Sequence, residues 1–86
     1  MNFNYMKDFI KVVEYKSLNK ASRELNISTP ALSKRIRNIE DYFDCDLFYR
    51  TSKGIFLTQK GKAVFHSFLK INEQFEELKS EISESK

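Results

Sequence analysis

The sequence has few of the residues that interrupt regular secondary structure, since its 86 residues include only two glycines and one proline. An all-β fold needs many tight turns, so this scarcity favours a mainly helical chain. No apolar run exceeds three residues, whereas a membrane-spanning helix needs roughly 20, and the N-terminus lacks the apolar stretch of a signal peptide. The single cysteine, Cys45, cannot form a disulfide within the chain. We therefore expect a soluble protein in the reducing environment of the cytoplasm.

Side chains that support catalysis or bind metals are also scarce. His66 is the only histidine, and no cysteine or carboxylate stands near it at the spacing of metal ligands. Because a Ser/His/Asp set needs such a histidine with partners, nucleophilic catalysis is not expected either. We expect no enzymatic activity, no metal and no cofactor, with Cys45 as a small buried packing residue and His66 at the solvent edge of a helix.

The charged and apolar residues that are present point to one small basic domain. Hydrophobic residues make up 41% of the chain and aromatic residues 14%, which is enough to fill a compact core. The formal net charge is +3, but residues 1–60 carry 11 lysines and arginines against 7 acidic residues, whereas residues 61–86 carry 4 against 5. The position of the basic residues must decide whether they form a nucleic-acid-binding surface or only a solvated one.

The first helix is predicted over residues 4–16, where apolar residues recur at helical spacing. We expect it to cover one side of the core, with charged residues such as Asp8 on its outer side. The apolar positions are Met6, Phe9, Ile10 and Val13.

Two further helices joined by a sharp turn follow. Ser17 is a good N-cap for a helix that ends at Leu25, and Asn26 tolerates the left-handed conformation of a sharp turn. Ser28 can cap a third helix that continues to about Phe43. One line of side chains along this third helix is apolar and is expected to face the core, and the opposite line is polar or basic. The apolar line holds Leu32, Ile36, Ile39 and Phe43, and the opposite line holds Pro30, Ser33, Lys34, Arg37 and Asp41.

A β-hairpin and a long helix are predicted after the third helix. Two short β-like runs flank the turn 51–54, and Thr58 can cap a last helix of about 25 residues. Within that helix, Phe65 and Leu69 are expected to pack on the first helix. The other apolar residues follow heptad spacing, and we expect two copies of the chain to pair through this seam as a homodimer. The predicted dimer interface is Val64, Phe68, Ile71, Phe75, Leu78 and Ile82.

The third helix has the residues of a DNA reader at its start. The major groove of B-form DNA is about 12 Å wide and admits one α-helix. Asp41 would be repelled by phosphate, so we expect only the first two turns to enter the groove. The predicted base-reading residues are Thr29, Pro30, Ser33 and Lys34. The residues predicted to contact the DNA backbone are Ser17, Asn19, Lys20, Arg37, Arg50 and Lys53.

Residues 9–61 together resemble the N-terminal DNA-binding domain of LysR-type transcriptional regulators. The resemblance is carried by Ser17 with Ala21-Ser22, Ile27-Ser28-Thr29-Pro30-Ala31-Leu32-Ser33-Lys34, Ile36 with Glu40, Leu47-Phe48 with Arg50, and Leu57-Thr58 with Gly61. It implies a mainly α winged helix-turn-helix domain, here residues 1–58, followed by a linker and dimerisation helix, here residues 59–86. It also implies homodimeric binding to an interrupted palindrome in double-stranded DNA, with tetramers in a full-length protein.

Three residues depart from the pattern of that family. Thr29 replaces a common glutamine, which leaves the preferred base open, and Asp44 replaces a common glycine, so we expect a left-handed aspartate there. Phe56 places an aromatic ring on the outer face of the hairpin. Family members also carry a larger effector-binding domain, so small-molecule sensing is not expected within these residues.

Two other classes of protein fit the same pattern. The molybdate-responsive repressors have N-terminal domains that resemble those of the LysR family, and they bind DNA in the same general way. A winged helix can also act purely as a protein-interaction module. Such a module would show no salt-dependent DNA binding, and Lys34→Ala would leave its partner binding unchanged.

Overall fold

The computed structural model describes residues 1–84 and contains four α-helices and one two-stranded antiparallel sheet. The elements in chain order are α1 (Phe3–Tyr15), α2 (Leu18–Leu25), α3 (Thr29–Phe43), β1 (Phe48–Thr51), β2 (Gly54–Leu57) and α4 (Gln59–Glu84). The predicted mainly helical architecture with a hairpin after the third helix is confirmed. The last two residues of the predicted linker helix, 85 and 86, lie outside the described residues.

Polar side chains begin the first three helices, and left-handed residues end them. Ser17 Oγ accepts the Lys20 N–H at 3.2 Å, and Ser28 Oγ accepts the Ala31 N–H at 3.2 Å, as the sequence predicts. The left-handed residues that end α1, α2 and α3 are Lys16 (φ 53°), Asn26 (φ 60°) and Asp44 (φ 55°). The sequence predicts Asn26 and Asp44, but a lysine carries no local signal for this conformation.

The core lies between α1 and the elements that surround it. Helix α1 packs against α2, α3, α4 and β2, so its buried surface covers more than one face. The fully buried side chains with the largest volumes are Phe9, Leu32, Ile39, Leu47 and Val12.

Asp8 is buried, which corrects the prediction that it lies on the outer side of α1. Its residue surface is only 4% exposed, because α3 covers the side of α1 opposite to the predicted apolar line. The guanidinium of Arg35 donates to Asp8 Oδ2 at 3.0 Å and lies over the ring of Tyr5. A buried carboxylate is costly unless it is paired, so this ion pair holds α1 and α3 in one relative position.

Phe43 is also placed differently from the prediction, since it is 40% exposed. The residue lies in the last turn of α3, beyond the elements that cover Leu32, Ile36 and Ile39. Its ring contacts only the edge of the core through Phe68, at 6.4 Å between ring centroids.

Hydrogen bonds from backbone N–H groups at the base of the hairpin fix it to the helices. Glu40 Oε2 accepts the N–H groups of Leu47 at 2.8 Å and Phe48 at 3.3 Å. On the other strand, the Ile55 N–H donates to the carbonyl of Lys16 at 3.2 Å. The left-handed Lys16 thus brings the end of α1 to the hairpin, and Glu40 brings α3 to it.

Two glycines permit close approach of the backbone in this region. A Cβ atom on Gly54, which has φ +138°, would lie 2.6 Å from the carbonyl oxygen of Lys16. A Cβ atom on Gly61 would collide with the carbonyl oxygen of Leu47. Side chains at either position would therefore push the hairpin away from α1 or from α4.

Helix α4 divides its apolar residues between two environments. Phe65, Leu69 and Val64 are partly buried against the core. The prediction for Phe65 and Leu69 named α1 as the partner, and the core cluster that they contact includes α1 residues such as Phe9. Phe68 is 4% exposed and its ring lies 5.3 Å from that of Phe9. The expectation that Phe68 is free to contact a partner copy is therefore corrected, because the first turns of α4 lie on α1 and fill the chain's own core.

The later turns of α4 keep their apolar residues exposed. We call Ile71, Phe75, Leu78 and Ile82 the distal apolar face; each is between 38% and 54% exposed. Phe75 contacts Phe3 with 4.8 Å between ring centroids, and Lys7 lies 5.7 Å from the Phe75 ring. These contacts fix the direction of α4 relative to α1 at the point where α4 leaves the core.

Candidate nucleic-acid interface

The first two turns of α3 lie on the surface of the domain. Pro30, Lys34 and Arg37 are exposed, and Ser33 and Thr29 are partly buried. The helix begins with the Ser28 cap, and Pro30 falls in its first turn, where a missing N–H removes no helical hydrogen bond. Sequence and structure therefore agree that this end of α3 presents short, polar and basic side chains outwards.

A polar network joins α2 to the start of α3. Thr29 Oγ1 donates to Asn19 Oδ1 at 3.0 Å and lies 3.0 Å from Ser22 Oγ. Ser22 Oγ in turn donates to the backbone carbonyl of Asn19 at 2.8 Å. The small Ala21 and Ser22 side chains are buried, which lets α3 cross α2 closely enough for these bonds.

Four of the predicted contact residues line one cavity of about 250 Å³, which we call the wing groove. Ser17 and Asn19 come from the start of α2, Thr29 from the start of α3, and Arg50 from β1. The groove joins an α-helix N-terminus, whose first N–H groups have no helical acceptor, to a guanidinium group. Such a combination suits a phosphate oxygen.

A second cavity of about 190 Å³ separates α3 from the hairpin, and we call it the helix groove. Its lining includes Ser33 and Arg37 from α3 together with Arg50 and Tyr49 from β1. Arg50 therefore lies between the two grooves, next to residues predicted to read bases and residues predicted to bind the backbone.

The basic residues of this surface have no acidic partners among residues 1–84. The ion pairs within that range involve Lys7, Lys11, Arg35 and Lys79, which lie on α1, on α4 or in the contact between α1 and α3. The exposed and unpaired cations include Lys20, Lys34, Arg37, Arg50 and Lys53. Their charges are thus available to an anionic partner.

Acidic residues mark the other end of α3. A cavity of about 440 Å³ is lined by Glu40, Asp41, Asp44, Asp46, Cys45 and Arg37. This acidic surface follows the first two turns of α3 along the helix. In the part of the chain that the structure describes, no group of three or more His, Cys, Asp or Glu residues is arranged to hold a metal ion.

Sequence reasoning missed the two carboxylates that position this surface. Glu40 supports the hairpin and Asp8 supports α3 through Arg35. The signal for Glu40 is weak but present, because its direction on α3 lies roughly 80° from Leu32, at the edge of the apolar line. Asp8 has no such signal, since its burial depends on how α1 and α3 cross.

The chain matches a known family of DNA-binding proteins over most of its length. The family described as "Bacterial regulatory helix-turn-helix protein, lysR family" matches residues 3–62. The chain belongs to the LysR family. This match favours LysR regulators over the molybdate-responsive repressors that the sequence left open, and the winged helix-turn-helix fold is that of LysR DNA-binding domains.

Curated relatives in the LysR family are longer transcription regulators. The RuBisCO operon transcriptional regulator of Allochromatium vinosum is 33% identical over 85 residues, which cover 99% of this chain and 28% of that protein. The nitrogen assimilation regulatory protein nac of Klebsiella aerogenes is 37% identical over 65 residues, which cover 76% of this chain and 21% of that protein. The chain thus spans about a quarter of the length of these relatives.

Solved structures of LysR DNA-binding domains share the whole fold. The BenM DBD in complex with catB site 1 DNA superposes with a TM-score of 0.92 at 27% identity, covering 98% of this chain and 93% of that one. The DarR protein of Vibrio fischeri, also in complex with DNA, gives a TM-score of 0.88 at 32% identity, covering 98% of this chain and 29% of DarR.

Among residues 1–84, no helix combines the length and the apolar character that a membrane crossing requires.

Proposed function

We propose that this chain binds double-stranded DNA with sequence preference, as the DNA-binding part of a LysR-family transcription regulator that works in the cytoplasm. The observation that carries this proposal is the position of Arg50, which lines both grooves beside the exposed start of α3. An α-helix and a guanidinium group on one surface suit the bases and the phosphates of the same duplex. The DNA complexes of BenM and DarR support the proposal.

The base edges are read by the first two turns of α3 in the major groove. Pro30 and the methyl group of Thr29 suit the methyl group of thymine, and Lys34 suits the acceptors of guanine. Ser33 can donate or accept through its hydroxyl. Ser33 lines the helix groove together with Arg37 and Arg50, so a base edge that its hydroxyl contacts lies next to the two cations that hold the backbone.

The DNA backbone is held on both sides of α3. Ser17, Asn19 and Lys20 contact phosphate from the start of α2, and Arg50 and Lys53 contact it from the hairpin. Arg37 lies one turn beyond the reading residues and faces the backbone. The Lys53 N–H already donates to Thr51 Oγ1 at 3.1 Å, which orders the tip of the hairpin and leaves the ammonium group for phosphate.

Two copies of the chain pair through the distal apolar face and bind a palindromic site. The support is the exposure of Ile71, Phe75 and Leu78 on one side of α4, since a row of exposed apolar residues favours association. Two-fold symmetry repeats the reading helix on the partner, so the half-sites lie one or more helical turns apart. Val64 lies at the edge of this interface, and Phe68 supports it from the core.

A selection of bound duplexes from random DNA tests this proposal. We expect enrichment of two inverted half-sites, and we expect the logarithm of affinity for the selected site to fall linearly with the logarithm of salt concentration. Enrichment of a single unrepeated half-site would overturn the dimer proposal. A complete lack of salt-dependent binding would overturn DNA binding and favour a protein-interaction module instead.

A further inference from the structure

The hydroxyl group of Thr29 is already committed within the helix-turn-helix. Its hydrogen is donated to Asn19 Oδ1 at 3.0 Å, and its oxygen lies 3.0 Å from Ser22 Oγ. Ser22 donates its own hydrogen to the Asn19 carbonyl at 2.8 Å. A hydroxyl has only one hydrogen to donate, so Thr29 has none left for a base acceptor while this network holds.

The structure places Asn19 Oδ1, rather than Nδ2, beside the Thr29 hydroxyl. An amide oxygen accepts hydrogen bonds, whereas the amide nitrogen only donates them. Because Oδ1 accepts from Thr29, the two hydrogens of Asn19 Nδ2 are directed away from Thr29. Within residues 1–84, these hydrogens have no acceptor, and the exposed Asn19 side chain lines the wing groove together with Ser17 and Arg50.

We propose that Thr29 is a positioning residue that aims the Asn19 amide at a DNA phosphate in the wing groove. Only the methyl group of Thr29 then faces the bases. The inference rests on the proposed DNA binding and assigns the Thr29 hydroxyl to affinity rather than to base choice. Loss of that hydroxyl therefore weakens binding to every sequence by the same factor, because phosphates do not differ between sequences.

A double-mutant cycle on the 86-residue chain tests this assignment. Affinity is measured for two 30-base-pair duplexes, one carrying the selected site and one unrelated, at a single salt concentration. Asn19→Ala and Thr29→Val are each expected to lower affinity about tenfold on both duplexes, since each removes one hydrogen bond to a charged group. The double variant is expected to lose about tenfold rather than about a hundredfold, because both changes remove the same contact.

Two further variants separate positioning from simple loss of fold. Thr29→Ser keeps the hydroxyl and is therefore expected to bind the unrelated duplex with the same affinity as the wild type. Asn19→Asp keeps an acceptor for Thr29 but replaces the amide hydrogens with a negative charge, so it is expected to lose more than tenfold while its thermal unfolding stays within about 3 °C of the wild type.

Distinct outcomes overturn the inference. If Thr29→Val changes the preferred base at one position and leaves the unrelated duplex unaffected, the hydroxyl reads a base. If the losses from Asn19→Ala and Thr29→Val multiply in the double variant, the two residues act independently. If both single variants bind DNA as well as the wild type, the positioning role of Thr29 is overturned but the proposed DNA binding is not. If the wild type shows no salt-dependent binding, the proposed DNA binding is overturned too.

Discussion

The first 58 residues and the distal part of α4 differ in which side chains they leave exposed to solvent. The helix-turn-helix and the hairpin supply most of the buried apolar core, although Tyr42 and Tyr49 stay exposed, and they present cations without acidic partners. The distal part of α4 does the opposite, because Ile71, Phe75 and Leu78 are exposed and most of the surrounding charges are acidic. One chain therefore presents two surfaces that suit different partners: a polyanion for the first and an apolar surface for the second.

The difference also shows how each surface is supported. The proposed DNA-binding surface, formed by the start of α3 and the hairpin, is supported by long-range bonds from Asp8 to Arg35 and from Glu40 to the hairpin. The distal part of α4 leaves the domain after the contact between Phe3 and Phe75, and Leu78 beyond that contact is 51% exposed. A change in one region should therefore leave the other region intact, and the following substitutions test that separation.

Leu78→Glu is expected to have the largest effect, and the effect should be confined to pairing. In a two-fold dimer the substitution occurs twice, so two lost apolar contacts and two buried charges weaken dimerisation by about 4 kcal/mol or more. Light scattering after size exclusion measures the dimer fraction. Ser80→Glu adds the same charge to the same helix outside the distal apolar face and should leave pairing nearly unchanged.

Unaltered dimerisation of Leu78→Glu would contradict the proposed role of the distal apolar face. The thermal unfolding of the helix-turn-helix region should be unchanged in both variants, since Leu78 is 51% exposed and belongs neither to the buried core nor to the partly buried residues packed on it. A destabilised domain would contradict the separation of the two regions.

Glu40→Ala is expected to destabilise the first region by about 2 kcal/mol. The substitution leaves the Leu47 and Phe48 N–H groups without their acceptor at the base of the hairpin. Urea unfolding followed by circular dichroism measures the loss. Glu40→Gln keeps one side-chain oxygen at this position and should lose less than half as much, so equal losses in the two variants would argue against the hydrogen bonds as the cause.

Arg50→Ala is expected to weaken DNA binding by about tenfold for every sequence. One phosphate contact is lost, so the slope of log affinity against log salt should become less steep by about one unit. Fluorescence anisotropy over a range of salt concentrations measures this slope. Lys70→Ala removes a charge from an exposed position on α4 and serves as the control, and an equal change in slope for both variants would show that Arg50 acts only through net charge.

Ser33→Ala is expected to have the smallest effect on affinity but to change base preference. Ser33 lines the helix groove with Arg37 and Arg50. The loss of a base contact from one hydroxyl costs about 1 kcal/mol, at the low end of the range for base contacts, and only at one position of the site. Competition between single-base variants of the selected site measures the change. A uniform loss across all variants would place Ser33 on the backbone instead.

Local signals predicted the elements of this fold well. The caps Ser17 and Ser28 act within three residues, and the left-handed Asn26 and Asp44 need no distant contact. For this reason the helix bounds and the position of the hairpin agree with the sequence. The left-handed conformation of Lys16 was not predicted, because the contact at that residue is distant in sequence. The Ile55 N–H of the hairpin donates a hydrogen bond to the Lys16 carbonyl.

The sequence by itself determined where the helices and strands lie and which residues stand on the outer side of α3, because helical periodicity and capping depend only on near neighbours. The tertiary structure decided which polar groups find partners: Asp8 meets Arg35 across 27 positions, and Thr29 meets Asn19 across 10. It also moved Phe68 into the core and left Phe43 exposed. These outcomes depend on how the helices cross, and the sequence pattern of one helix does not predict where a neighbouring helix packs.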